Sequence, residues 1–171
     1  MKKMFATGMI ILSALAAKAQ YNFDVTKDME TGKTMFVGNC TFDDLTDEPS
    51  FDWITIGSNA YKPDEATTEK LKKELPSCQL IIFMGTWCED TQNLLPKLYK
   101  TMMMSRSYTN YKLYALDRSK KTKNNEQGQY DIKLLPTVIV KKDGVELGRI
   151  VESTKGTIEA DLLKIVTAKK E

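Results

Sequence analysis

The sequence predicts an α/β fold, a mixed sheet with helices packed against it, preceded by an N-terminal extension. Three observations carry that prediction. Leu80-Ile81-Ile82-Phe83-Met84 is an unbroken apolar run, the pattern of a parallel strand buried on both faces. From residue 63 onward, strand and helix patterns alternate as β-α-β-α-β-β-α after a leading helix. Lys142-Asp143-Gly144 separates the last two strand patterns with the Asp-Gly of a tight hairpin, which makes that pair antiparallel and the sheet mixed.

Taken in order, residues 1–19 read as a signal peptide. Lys2 and Lys3 form a basic start, Met9 to Ala17 an apolar run, and Ala17-Lys18-Ala19 a small-x-small site with cleavage after Ala19. The apolar run is well short of the roughly 20 residues a spanning helix needs. No cysteine follows the cleavage site to take a lipid, and no second apolar segment is long enough to span. The expectation is a periplasmic or secreted protein with no membrane anchor after cleavage, in an oxidising compartment.

Residues 20–62 form the extension. Thr34-Met35-Phe36-Val37 suits a short strand, Thr41-Phe42-Asp43-Asp44-Leu45 a capped helical turn, and Phe51 to Ile56 is an apolar stretch without a clear period. Residues 63–171 form the main domain. Pro63-Asp64-Glu65 opens a helix, Leu71 and Leu75 lie on one of its faces, and Pro76 ends it. The strand at Leu80–Met84 leads into a helix from Cys88 to about Met104, with Leu94, Leu95, Leu98 and Met102 along one stripe. A second strand runs from Tyr111 to Leu116. A polar, lysine-rich loop at 119–125 reads as solvated surface, and a short helix reaches Tyr130. Strands at Thr137–Lys141 and Val145–Val151 flank the hairpin, and Ile158, Leu162, Leu163, Ile165 and Val166 mark an amphipathic last helix.

Composition excludes several functions. The 171 residues, 42% hydrophobic and 28% charged, suit one soluble domain with a small extension. The 25 basic and 23 acidic residues leave a net charge of +2, so there is no electrostatic case for nucleic acid. Histidine is absent, which removes imidazole acid/base chemistry, Cys–His nucleophile pairs and most zinc sites. No Gly-rich phosphate loop or ligand cluster appears, so neither a metal nor a cofactor is expected.

The chemistry concentrates in Gly85-Thr86-Trp87-Cys88-Glu89-Asp90-Thr91. A cysteine at a helix start meets unpaired backbone N–H groups and the positive end of the helix dipole, which favour its thiolate. Pro96 stands eight residues after Cys88, and Gly144 eight after Pro136, in Tyr130-Asp131-Ile132-Lys133-Leu134-Leu135-Pro136-Thr137. Together these four features resemble the thioredoxin family, over the C-terminal two-thirds of the chain. There a Trp precedes the reactive Cys, a Pro kinks the following helix, and Tyr-x-Ile-x-x-Ile-Pro-Thr carries a cis-Pro facing the thiol. The Trp-Cys-x-Asp-Thr motif with Gly148-Arg149-Ile150-Val151-Glu152 resembles a branch of exported bacterial thioredoxin-like proteins. The resemblance implies a three-layer α/β/α sandwich. It also implies a groove in which Trp87, Leu135 and Pro136 bind extended polypeptide beside Cys88; for Trp87 a core aromatic role stays open.

Two departures from that family limit the chemistry. Thr91 occupies the place of the second Cys in Cys-x-x-Cys, so no internal active-site disulfide can form. Its hydroxyl is a candidate donor to the Cys88 sulfur, with an ordinary first-turn Thr as the alternative. The buried acid that thioredoxins carry six residues before the Cys is Ile82 here. Glu89 and Asp90 suit a helix start but oppose a thiolate beside them, so they either modulate Cys88 or serve as helix caps alone.

An odd count of three cysteines leaves at least one free or paired with another molecule. At about 3.3 Å per residue the intervening strand separates Cys78 from Cys88 by about 20 Å, beyond the roughly 7 Å a disulfide spans. A structural Cys40–Cys78 bridge stays open. The leading reading is monothiol thiol–disulfide exchange through Cys88 and a mixed disulfide, with protein or low-molecular-weight thiols and disulfides as partners. The alternative is a non-catalytic module that binds extended polypeptide or a partner in the cis-Pro groove. A thiol peroxidase fits less well, since Thr follows the Cys and nothing in the sequence places Arg118 or Arg149 near it.

Overall fold

The computed structural model describes residues 22–168; the segment read as a signal peptide lies outside them. A six-stranded mixed sheet in the order β1-β2-β4-β3-β5-β6 forms the middle layer. Its strands are β1 (Phe23–Lys27), β2 (Thr34–Cys40), β3 (Gln79–Met84), β4 (Tyr111–Ala115), β5 (Thr137–Lys142) and β6 (Val145–Val151). Only β3 and β4 run parallel, with Phe83 opposite Tyr114; every other pairing is antiparallel. β3 is buried on both faces, which explains its unbroken apolar run.

The helices are α1 (Phe42–Asp47), α2 (Asp52–Ala60), α3 (Glu65–Glu74), α4 (Glu89–Met104), α5 (Glu126–Gln129) and α6 (Ile158–Thr167). On one face the core joins Leu80, Ile82 and Met84 of the sheet to Leu94, Leu95 and Leu98 of α4 and to Leu162 of α6. On the other face a smaller cluster of Ile81, Phe83, Tyr114, Leu116, Leu135 and Ile139 packs against Trp87, Cys88, Tyr130 and Ile132. This gives the three layers, with the reactive thiol at the rim of the thinner side.

The extension is built into this core. Thr41 caps α1 by accepting from the Asp44 N–H at 3.1 Å while the Asp44 carboxylate accepts from the Thr41 N–H at 2.7 Å, a reciprocal capping box. Phe42 and Leu45 of that short helix are fully buried. Phe51 ends a 3₁₀ turn (Pro49–Phe51), and the rest of the apolar stretch is the start of α2, which lies on α4. Gly57 makes that approach possible, since a Cβ there would sit 2.8 Å from Pro96. The strand β1 was not read from the sequence, because among Phe23-Asp24-Val25-Thr26-Lys27 only Phe23 is buried and the edge strand has no apolar alternation. Gly38 lets β1 close on β2: its φ is +127°, and a Cβ would meet the Asn22 carbonyl oxygen at 2.7 Å.

Because α1 contributes to the same core as α4, Leu45→Ala is expected to cost about 2–5 kcal/mol in a single cooperative urea transition. A separate early transition, or a loss below about 1 kcal/mol, would show that the extension folds apart from the main domain.

Candidate active site

Backbone geometry makes Cys88 a helix start. With φ −87° and ψ 124° it is extended and caps α4 from outside, while its carbonyl accepts the Gln92 N–H at 3.0 Å. Gly85-Thr86-Trp87 between β3 and Cys88 is a tight turn, closed by the Cys88 N–H on the Gly85 carbonyl at 2.9 Å. Gln92 reinforces it from the helix, donating to the Thr86 carbonyl at 2.8 Å. Cys88 itself is partly exposed.

The loop before β5 arrives opposite this turn. The Leu135–Pro136 peptide bond is cis, and the Cys88 thiol donates to the Leu135 carbonyl across 3.6 Å. Leu135 and Pro136 are buried, whereas Leu134 is exposed at the rim. Trp87 is half-buried beside Cys88, and its indole N–H donates to the Leu116 carbonyl at 2.8 Å. Glu89 and Asp90 are exposed in the first turn of α4 and engage neither Cys88 nor the groove side chains by hydrogen bond or ion pair.

Thr91 is placed differently from the donor role considered from sequence. It is fully buried, and its hydroxyl oxygen accepts the Gly85 N–H at 3.3 Å, holding the turn in shape. The hydrogen bond of the sulfur runs to Leu135 instead. Ile82, in the place of the family's acid, is core.

All three cysteines carry free thiols. The Cys40–Cys78 bridge left open from sequence is not formed, and the sheet register gives the reason. Cys40 pairs with Leu113, which pairs with Ile82, four residues beyond Cys78. The two cysteines are therefore about 10 Å apart across the sheet and about 13 Å along it, too far for a disulfide. Burial pushes both thiols up from the usual range, Cys40 strongly, and so disfavours their reactive forms.

Residues that sequence reasoning did not assign complete the site. Arg118, just after β4, lies over the Trp87 ring with its guanidinium carbon 4.7 Å from the centroid. It donates to both oxygens of Asp28, at 3.1 and 2.8 Å, and forms an ion pair with Glu30 at 2.8 Å. Asp28, at the turn between β1 and β2, is only 1% exposed, and Arg118 holds its carboxyl well below the usual carboxylate range. Arg118 was legible in principle: residues following parallel strands gather at one sheet end, and β3 and β4 are parallel. Asp28 was not, since the hairpin carrying it left no pattern. Arg149 lies elsewhere, paired with Glu146 at 2.7 Å and with the Tyr130 carbonyl at 3.1 Å. The extension also closes a cavity of about 430 Å³ beside the thiol turn, lined by Asp28, Thr31, Phe51, Thr86, Trp87 and Glu89 among others.

Among the described residues no cluster of three or more acidic, cysteine or histidine side chains is placed to hold a metal ion, and no helix is long and apolar enough to cross a membrane.

The Asp28 carboxyl is lowered on folding, so its contribution is full above the usual carboxylate range near pH 4. It falls as the unfolded chain's carboxyl takes up a proton below that, and is lost once the folded carboxyl protonates. The urea midpoints of the wild type and Asp28→Asn are expected to differ clearly more near neutral pH than at about pH 2. An equal gap at both would contradict the pairing.

Comparison with known proteins gives a family and a fold. The thioredoxin family profile matches residues 62–168. A Pseudomonas aeruginosa protein of unknown function superposes with a TM-score of 0.53 at 15% identity, covering 74% of this chain and 80% of its own. An HIV epitope scaffold gives 0.51 at 17% identity, covering 74% and 98%. The thioredoxin of Fasciola hepatica gives 0.40 at 18% identity, covering 58% and 86%. No curated protein sequence matches the chain significantly.

Proposed function

The chain belongs to the thioredoxin family, and on that premise we propose that it is an exported monothiol thiol–disulfide exchanger acting through Cys88. One observation carries the reading. Cys88 is the partly exposed thiol of the three, set at the start of α4 with its sulfur 3.6 Å from the Leu135 carbonyl in the groove beside Pro136. Export rests on the basic and apolar pattern of residues 1–19, with a periplasmic or secreted product after cleavage.

The exchange proceeds in two balanced steps. The Cys88 thiolate attacks one sulfur of a substrate disulfide, forming a Cys88–substrate disulfide as the original S–S bond breaks and its other sulfur leaves as a thiolate. An external thiolate then attacks the mixed disulfide at the substrate sulfur, forming a new disulfide and returning Cys88 to the thiolate. Thr91 cannot act as a resolving group, so the second thiol comes from a protein or a small thiol. Trp87, Leu135 and Pro136 wall the groove in which an extended substrate lies, and Glu89 and Asp90 set the charge at its mouth.

A second reading, binding of extended polypeptide without turnover, is favoured by the buried Thr91 in place of a second cysteine. The test is disulfide reduction by the mature protein with added glutathione, beside Cys88→Ser. Exchange predicts turnover that the variant loses to background. Equal rates would leave the binding reading.

A further inference from the structure

We propose that Asp28 and Arg118 are positioning residues for the exchange site, acting together to hold the Trp87 indole in place as the groove wall beside Cys88. This rests on the exchange reading and adds to it a working role for the N-terminal extension.

The geometry is a chain of three restraints. Asp28 is almost wholly buried with both oxygens committed. Oδ1 accepts from Arg118 Nε and the Glu30 N–H, both at 3.1 Å, and Oδ2 from Arg118 Nη2 at 2.8 Å and the Thr31 hydroxyl at 2.6 Å. That two-pronged grip, with Nη1 on Glu30 at 2.8 Å, fixes the guanidinium plane as well as its position. The fixed guanidinium then lies over the indole face at 4.7 Å, while the indole edge is tied to the Leu116 carbonyl at 2.8 Å. Trp87 is thus held on its face and its edge by the one segment after β4, whose guanidinium is fixed in turn by Asp28 of the extension, one residue from the reactive thiol.

A simple tether between the extension and the sheet would not need this arrangement. Burying a carboxylate is costly and is offset only by good pairing, and a few apolar contacts would join the two parts as well. Arg118 also has its charge answered by two carboxylates, so little is left to attract an anionic substrate. Its charge also reaches Cys88 directly, and a lysine would keep that charge; the part of its effect that runs through the indole is the part neutral and anionic substrates should feel alike.

The test uses the mature chain and two disulfide probes, neutral 2,2′-dithiodipyridine and the dianionic 5,5′-dithiobis(2-nitrobenzoate). Arg118→Lys keeps the charge but removes the planar stack. It is expected to slow the fast thiol reaction about fivefold with both probes. In a Trp87→Leu background the same substitution is expected to cost less than about twofold. An equal loss in both backgrounds would overturn the proposal, as would a loss confined to the anionic probe. Asp28→Asn should repeat the pattern; if that variant does not fold, Arg118→Lys still decides. Trp53→Phe leaves Trp87 as the sole indole, and there acrylamide quenching of its emission should rise with Arg118→Lys. If the wild type reacts with neither probe, the exchange reading fails on its own. Quenching then judges the clamp, and unchanged quenching would overturn it.

Discussion

The parallel pairing of β3 with β4 is the constraint on which the site depends. Two strands that run the same way deliver their following residues to one end of the sheet, so the turn carrying Cys88 and the segment carrying Arg118 must meet. The antiparallel neighbours bring the rest to the same end. Thr137 pairs with Phe83, which sets Leu135 and Pro136 beside the turn after β3. Gly38 pairs with Ala115, so β2 continues backward past Arg118 and the preceding turn sets Asp28 against it. Four segments far apart in sequence converge because one register allows nothing else.

Convergence also explains how the site keeps its shape after departing from the family pattern. Thr91 replaces a sulfur with a hydroxyl that accepts the Gly85 N–H, so the tight turn is retained while the resolving chemistry is given up. Ile82 fills the place of an acid with core packing, which removes a proton acceptor and adds apolar burial. The extension supplies a polar wall and an arginine grip next to the indole. The result is a thiol held by backbone and packing, with Glu89 and Asp90 beside it in the first turn of α4 and Arg118 across the indole.

Much of this was legible in the residues, for physical reasons that differ by element. The run Leu80–Met84 could be read because a strand buried on both faces has no polar positions, and Asp143-Gly144 because a two-residue hairpin demands such residues. Trp87, Cys88, Pro96 and Pro136 were legible as spacing. The strand β1 was not, since an edge strand with one buried residue leaves no alternation, and with it Asp28 stayed invisible. The Cys40–Cys78 question needed the register of three strands, which no local pattern encodes. Thr91 lies one turn from Cys88, but the direction of its hydrogen bond depends on how the Gly85 turn closes.

The fold presents one thiol, Cys88, and withholds Cys40 and Cys78. Incubating the mature native protein with oxidised glutathione and mapping adducts by peptide mass spectrometry without reductant should therefore give a single mixed disulfide per chain, on the peptide containing Cys88 and abolished in Cys88→Ser. Glutathione on Cys40 or Cys78 of the native protein, or none on Cys88, would contradict it.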